Sequence, residues 1–329
     1  MESKKTNKRW LAAGLALAIF LLSIFTSGLE SKNNAEKNLK SQAYNRLGIM
    51  EENILQGSNP MEKIEVLNVE GVIQSDDTND FLVEKLKEAK DDPAVAGVIM
   101  HVNSPGGSVY ASERVANAIK EVRANGKPVY SVMQEMAASG GYYISAPCEK
   151  IYASNETWTG SIGVIIQNYS LEGLFDKYGI KEQNITTGKM KDAGSPGRDM
   201  DKAEKEYFQG LVDSAFERFV DEVAEGRDMS KTTVKTLADG RVYDGKQALE
   251  NGLVDKIGDL DLAIADMTEA YQLTDPLVVE KEDAMASFSK YFPSFLNKEE
   301  APKSELGVLK EMMDENDIKP MYLYGGYHE

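Results

Sequence analysis

From Lys63 onward the chain alternates apolar runs with helical patterns, and this alternation restricts the fold more than any other feature of the sequence. The run IEVLNVEGVI after Lys63 is β-branched and apolar, and residues 96–102 (AGVIMHV) and 128–133 have the same character. Apolar residues at helical spacing lie between these runs, at residues 81–89 and 111–122. Strands that alternate with helices through short glycine-rich turns predict an α/β domain with a largely parallel sheet.

The alternation continues toward the C-terminus. Residues 150–153 and 161–166 are predicted strands, and residues 171–178 are a predicted helix. A long amphipathic helix is predicted over residues 202–227. Its inward face carries Phe208, Val212, Ala215, Phe216, Phe219 and Val223.

The N-terminus has the pattern of a membrane anchor. Basic residues within positions 1–9 precede an uncharged stretch over residues 10–29, which is long enough as a helix to span ~30 Å of hydrocarbon. Because basic flanks stay in the cytoplasm, we expect a single-pass protein of the cell membrane whose later residues are extracellular. A cleaved signal peptide is the alternative, since Thr26, Ser27 and Gly28 suit a cleavage site, although the run exceeds the usual ~7 to 15 residues.

Three further regions follow the anchor. Residues 30–60 are polar, with helical spacing from Ala43 to Ile54, and are predicted to form a stalk or oligomerisation arm. Residues 61–272 form the α/β domain, and residues 273–329 an acidic tail. The tail ends in MYLYGGYHE, which is either a final edge strand or a peptide that docks in a groove such as the active site.

Composition excludes several functions. The chain has 37 basic and 54 acidic side chains and a formal net charge of -17, which argues against binding to nucleic acid. Its one cysteine, Cys148, cannot form an internal disulfide, and two histidines are too few for a structural zinc site. Metal binding by carboxylates alone stays open.

A candidate nucleophile, Ser139, lies in the peptide MAASGG at residues 136–141. A Ser-His-Asp triad needs an imidazole, and the two histidines are poorly placed: His101 lies within a predicted strand and His328 is the penultimate residue. A serine without histidine needs another base. A lysine that burial keeps neutral is the best-known substitute.

Two glycine-rich turns could supply hydrogen-bond donors to an oxyanion. The first, NSPGGS at residues 103–108, leaves a predicted strand and enters a helix, so its amides can lie close to a substrate. The second places Ser139 at the start of a helix, with the Gly140 amide on the same side. Either turn alone could be a plain strand-to-helix connection capped by a serine.

The base is harder to assign, because most lysines are solvated surface residues. Lys189 and Lys191 lie in ITTGKMKDAGSPG, after a β-branched run and before a loop rich in glycine and proline. A lysine that ends a strand beside a cleft can be desolvated, which lowers its pKa toward a useful range. The spacing leaves both lysines open.

The chain carries five motifs in order: NSPGGS, MAASGGYYIS, TWTGSIGV, TTGKMKDAGSP and ADGRVYDGKQALENGLVDKIG. Taken together, these motifs resemble those of the signal peptide peptidase A family, short Gram-positive type, within peptidase family S49. The resemblance covers roughly residues 60–270 and the anchor. It implies the Clp-protease/crotonase-like fold of repeated ββα units.

The resemblance also implies roles for individual residues. Ser139 corresponds to the nucleophile of a Ser/Lys dyad, and Lys191, which precedes an aspartate as the motif requires, to the general base. Gly107 and Gly140 correspond to the oxyanion donors, and Ser161 to a hydroxyl that orients the lysine. No metal or organic cofactor is implied.

The expected substrates and partners follow from the same resemblance. It implies a serine endopeptidase that degrades apolar peptides, especially remnant signal peptides, at the membrane. It also implies a homo-octameric ring whose sites are built across neighbouring subunits and can hold the chain's own C-terminal tail. Three alternatives stay open: an acyl-CoA enzyme using a carboxylate such as Glu135, a related membrane protease acting on a protein partner, and a non-catalytic anchored scaffold.

Overall fold

The computed structural model describes residues 52–281 and 319–324. The predicted cytoplasmic segment, the anchor at residues 10–29, most of the stalk and most of the tail lie outside these ranges. Within them, no helix combines the length and apolar character needed to cross a membrane.

Strands and helices alternate along the described chain, as the sequence predicts. The strands are β1 Glu52–Gln56, β2 Asn59–Glu70, β3 Val95–Ser104, β4 Gly106–Ser108, β5 Val129–Ala138, β6 Lys150–Ala153, β7 Trp158–Gly160, β8 Val242–Asp244, β9 Lys256–Ile257, β10 Pro276–Lys281 and β11 Met321–Leu323. The helices are α1 Asp77–Asp91, α2 Val109–Ala124, α3 Gly140–Ser145, α4 Glu172–Tyr178, α5 Lys202–Gly226, α6 Lys231–Leu237, α7 Gly245–Glu250 and α8 Leu260–Ala270.

The main sheet is largely parallel, which confirms the predicted α/β class. Its order is β1-β10-β2-β3-β5-β6-β9, and β7 extends it by pairing with β5 and β8. The strands from β10 to β9 run parallel to one another, whereas β1 and β8 are antiparallel to their neighbours. The carboxyl ends of β3 and β5 therefore lie at the same edge of the sheet, where open α/β sheets bind ligands.

Both faces of the central strands are buried, because successive side chains point to opposite sides. In β3, Met100 and Val102 belong to a core shared with α1, α2, α3 and α5, whereas Ile99 belongs to a smaller core under α8. Both Ile99 and Met100 have no exposed surface. Core packing of these buried strands fixes the points along the sheet at which β3 and β5 end. The residues that follow the two strands are therefore held in place.

The sheet extends beyond the predicted limits of the domain. β1 lies in the predicted stalk and β10 in the predicted tail, and these two strands pair with each other. The helical pattern predicted up to Ile54 does not form a helix within the described residues. Ile54 instead lies in β1 at the sheet edge, where it is 63% exposed.

Two predicted strands do not form. Residues 161–166 contain only an isolated bridge from Ile165 to Met321, because left-handed backbone at Gly160 (φ 79°) and Ser161 (φ 49°) ends β7. The run before Lys189 was also expected to be a strand. Residues 189–194 instead form successive turns, and the run has no strand partner among the described residues.

Candidate active site

Ser139 lies at a strained turn between β5 and α3. Its backbone has φ 53° and ψ -112°, a combination that L residues rarely adopt, and its amide donates to the Gly160 carbonyl at 2.8 Å. The residue is 1% exposed, and its Oγ has no hydrogen-bond partner among the described residues. A buried hydroxyl left unpaired costs stability, so the environment of this serine among the described residues is an unusual one.

The two predicted oxyanion glycines lie side by side, next to Ser139. A Cβ atom built on Gly140 would lie 2.9 Å from the Gly107 nitrogen and 2.7 Å from Ser112 Oγ. One built on Gly107 would lie 1.9 Å from the Ile73 carbonyl oxygen, so no larger residue fits there without a backbone shift. The backbones of both glycines thus lie at one point beside the serine, where acyl transfer would need hydrogen-bond donors.

The C-terminal segment occupies this point. β11 pairs with β4 in antiparallel register, with Tyr322 opposite Gly107. Two backbone hydrogen bonds flank this pair, from the Tyr324 amide to the Pro105 carbonyl at 2.9 Å and from the Val109 amide to the Pro320 carbonyl at 3.4 Å. Because hydrogen-bonded pairs alternate along an antiparallel ladder, Tyr322 and Gly107 form the hydrogen-bonded pair between them.

The tail is bound on its other side as well. Met321 exchanges backbone hydrogen bonds with Ile165, at 2.9 and 3.0 Å. A Cβ built on Gly140 would lie 3.0 Å from the Tyr322 carbonyl oxygen. Residues 321–324 are therefore an extended segment between two backbone segments, with the Tyr322 carbonyl beside the two glycines. The structure makes this segment a strand at the edge of a two-stranded sheet with β4, and docking of the tail in an active site stays a prediction.

The side chain of Tyr322 fills an aromatic pocket. Its ring stacks on Tyr143 and tilts against Phe219, with both ring centroids at 4.7 Å, and its hydroxyl donates to the Ala215 carbonyl at 2.9 Å. Tyr322 has no exposed surface, and burial raises the pKa of its phenol. Sequence reasoning missed this pocket, because Tyr143 and Phe219 have the helical spacing of ordinary core residues.

Ser161, the predicted orienting hydroxyl, lies close to Ser139, whereas Lys191, the predicted base, does not bind it. Ser161 follows the Gly160 peptide that binds the Ser139 amide, is 5% exposed, and so lies beside the nucleophile. Lys191 is exposed in a turn, with its amide donating to Gly188 at 3.1 Å, and Lys189 is exposed in the same turn. Since Ser139 Oγ has no hydrogen-bond partner within residues 52–281 and 319–324, neither lysine binds it in this structure.

Other candidate groups are inert or distant. His101 pairs in register with Val132, seven residues before Ser139, which at ~3.3 Å per residue places it roughly 20 Å along the sheet from the serine. Burial raises the pKa of the Cys148 thiol to about 12, so it stays protonated. Among the described residues, no group of three or more histidine, cysteine or acidic side chains could hold a metal ion.

A buried serine beside closely packed glycines, with an extended peptide against them, is an arrangement that a serine protease requires, and the comparisons place the chain in that class. The model of peptidase family S49 matches residues 121–274. A relative from Enterococcus faecium, named "Putative signal peptide peptidase SppA", is 37% identical over 342 residues, which cover 97% of this chain and 99% of the relative. The chain belongs to peptidase family S49.

Other relatives align with a smaller share of this chain. Protease 4 of Haemophilus influenzae is 38% identical over 71% of this chain and 38% of its own length, and a protease of Methanocaldococcus jannaschii is 39% identical over 61% and 64%. This chain thus spans less than two thirds of either protein. Among solved structures, a ClpP1 mutant from Listeria monocytogenes aligns with a TM-score of 0.41 at 18% identity, covering 59% of this chain and 91% of that one.

Proposed function

We propose that this serine protease is a membrane-anchored endopeptidase of the Clp-protease/crotonase fold that uses a Ser139/Lys191 dyad to degrade apolar peptides. Remnant signal peptides are the expected substrates, in line with the name of the Enterococcus faecium relative. The anchor at residues 10–29 would hold the catalytic domain at the outer face of the cell membrane.

One observation carries the proposal: the carbonyl of Tyr322 lies against the glycine amides beside the unpartnered Ser139. An extended peptide with a carbonyl at this position is the geometry that a protease substrate must adopt. The register supports cleavage after an aromatic residue, because the side chain that precedes the scissile bond would enter the pocket formed by Tyr143 and Phe219.

The chemistry follows from these groups. Lys191 accepts the proton of Ser139 as Oγ bonds to the carbonyl carbon, and the Gly107 and Gly140 amides donate to the oxyanion. Collapse of the tetrahedral intermediate breaks the C–N bond, and the lysine ammonium gives its proton to the leaving amine. Lys191 then takes a proton from water as the hydroxide adds to the ester carbon. The C–Oγ bond breaks, and the lysine ammonium returns its proton to Ser139 Oγ, which regenerates the free enzyme. None of these steps requires a metal or an organic cofactor.

A neighbouring subunit would supply the lysine. Ser139 Oγ has no hydrogen-bond partner in the part of the chain that the structure describes, while Lys191 is exposed on a turn that also carries the 40% exposed Met190. More apolar side chains lie exposed nearby along the chain, namely Tyr169, Tyr178, Ile180, Ile185, Tyr207 and Leu211. Contact with a second copy would cover such side chains. A closed ring, an octamer in this proposal, would repeat that contact at every site.

The test compares four purified full-length proteins on a fluorogenic apolar peptide that carries tyrosine before the scissile bond. Ser139→Ala and Lys191→Ala should each lose at least ~10³-fold in kcat/KM, because the nucleophile and its base act as a unit. Lys189→Ala, two residues from the base, should retain activity. Equal activity in all four proteins would remove Ser139 from catalysis.

A further inference from the structure

A buried carboxylate lies under the loop that carries Lys191. Glu204 is in the first turn of α5 and is 2% exposed, although the helix around it faces solvent. It accepts from the Asp201 amide at 2.8 Å, while the Glu204 amide donates to the Asp201 side chain at 2.8 Å, which forms a capping box. A capping box is usually exposed, so the burial of this carboxylate calls for a further role.

The second partner of Glu204 is the guanidinium of Arg198. Nη2 donates to Oε1 at 2.6 Å and Nη1 to Oε2 at 2.8 Å, so the pair is bidentate. Arg198 and a backbone hydrogen bond from Gly194 contribute to lowering the pKa of Glu204 to about 2, with the Arg198 hydrogen bond as the largest cause. The carboxylate is therefore ionised at any physiological pH.

Arg198 also binds the residue that follows the lysine. Its Nη2 donates to the Asp192 carbonyl at 3.1 Å and lies 3.4 Å from Asp192 Oδ1. The Asp192 carbonyl accepts the Ser195 amide as well, at 3.1 Å, which closes the turn after Lys191. The Arg198 guanidinium thus joins the peptide next to Lys191 to a buried group at the start of a 25-residue helix.

We propose that Glu204 and Arg198 are positioning residues that hold Lys191 in the place from which it deprotonates the serine of the next subunit. The inference rests on the proposed Ser139/Lys191 dyad. A base on an exposed turn needs such support, because displacing a catalytic group by about 1 Å can cost about 10²-fold in rate. Glu204 accepts hydrogen bonds from the Asp201 amide at the helix start and from the Arg198 guanidinium. The position of the Lys191 turn is therefore tied to the position of the helix.

The experiment measures kcat and KM for Glu204→Gln and Arg198→Lys in the full-length protein. Glu204→Gln removes the ion pair and keeps the shape, and Arg198→Lys keeps the charge and loses the bidentate fork. We expect about a tenfold or greater fall in kcat for Glu204→Gln, with KM within about twofold of the parent value. Arg198→Lys should change kcat in the same direction.

The matched control is Glu206→Gln, on the same turn of α5. Glu206 pairs with Lys202 at 3.6 Å, with the two side chains 68% and 91% exposed, and this pair does not involve the Lys191 loop. Its kcat should equal that of the parent. If light scattering shows that Glu204→Gln does not assemble, the kcat of Arg198→Lys tests the inference in its place.

A second readout separates positioning from general stability. The rate at which a fluorophosphonate labels Ser139 should fall in Glu204→Gln, but should not fall further when Glu204→Gln is added to Lys191→Ala, because the residue acts through the lysine. Parental kcat in Glu204→Gln, a rise in KM alone, or equal loss in both backgrounds would overturn the inference. If Lys191→Ala itself stays active, the dyad fails instead.

Discussion

The carbonyl of Tyr322 accepts from the amide of Gly107, so the chain presents its own C-terminal segment to the glycines beside Ser139. The pairing aligns the Tyr322–Leu323 peptide bond where a scissile bond would lie. A tethered peptide is present at millimolar effective concentration when its linker spans the distance. Under the proposed function, external substrates would compete with this segment for the same backbone edge.

Replacing Tyr322 with alanine should favour those substrates. The change empties the pocket between Tyr143 and Phe219 and removes the hydroxyl bond to Ala215, so the tail loses its main side-chain contact. We expect a lower apparent KM for an apolar peptide and no fall in kcat. Tyr322→Phe keeps the ring and loses one hydrogen bond, worth about 1 kcal/mol, so its KM should lie close to the parent value. The same KM in Tyr322→Ala and the parent would show that the tail does not compete.

A methyl group at Gly140 should block the oxyanion site. The new Cβ would lie 3.0 Å from the Tyr322 carbonyl oxygen and 2.9 Å from the Gly107 nitrogen, and would push any carbonyl away from both amides. Loss of one such donor costs about 10² to 10³ in kcat. Gly210→Ala is the control, because its Cβ meets no atom within 4 Å. Steady-state kinetics on the two variants, with Tm measured in parallel, should show a loss of kcat in Gly140→Ala alone.

The sequence predicted the parts of the site whose structure is local. Ser139 at the turn from β5 into α3, and Gly107 after β3, follow from apolar runs that end in glycine motifs, because such runs fix where buried strands stop. The α/β class follows from the same alternation. The predicted Ser161 follows Gly160, whose carbonyl binds the Ser139 amide.

Other features depend on contacts between distant segments. The pocket for Tyr322 joins α3, α5 and β11, and aromatic residues at helical spacing look the same whether they line a pocket or fill a core. β1 and β10 pair with each other across more than 200 residues, and β10 also pairs with β2, which lies far from it in the sequence. The loop around Lys191 has no regular pattern, and its anchor to Glu204 is a side-chain contact that periodicity does not reveal.

Mixing two inactive variants should restore activity if the base comes from a neighbouring subunit. Ser139→Ala keeps Lys191, and Lys191→Ala keeps Ser139, so a mixed ring contains sites that hold both groups. In a random equimolar assembly about a quarter of the sites would be complete, since each site takes one residue from each of two subunits. Co-expressed chains with different affinity tags, purified through both tags and assayed on the fluorogenic peptide, provide the measurement. Absence of any recovery in such mixed rings would place both groups in one chain.

Replacing Lys281 with methionine should destabilise the protein in a pH-dependent way. The Lys281 ammonium lies 3.0 Å from Glu65 and also binds Glu52; the Lys281 and Glu65 side chains are 11% and 4% exposed. Removing the cation leaves Glu65 buried without its counterion, which costs about 3 to 5 kcal/mol at neutral pH. Burial already raises the pKa of Glu65 in the folded protein, and Lys281 opposes that rise. The pKa should therefore rise further in the variant.

The direction of the pH dependence follows from that raised pKa. A folded state that holds its proton more tightly than the unfolded chain gains stability below the unfolded pKa, near 4.3, and loses it as pH rises through the folded pKa. The deficit of Lys281→Met should thus be smaller at pH 5 than at pH 7.5 in urea unfolding. Lys235→Met, which breaks an exposed pair with Glu217 at 2.6 Å, should cost no more than about 1 kcal/mol. A deficit that does not change with pH would mean that Glu65 does not protonate when its counterion is removed.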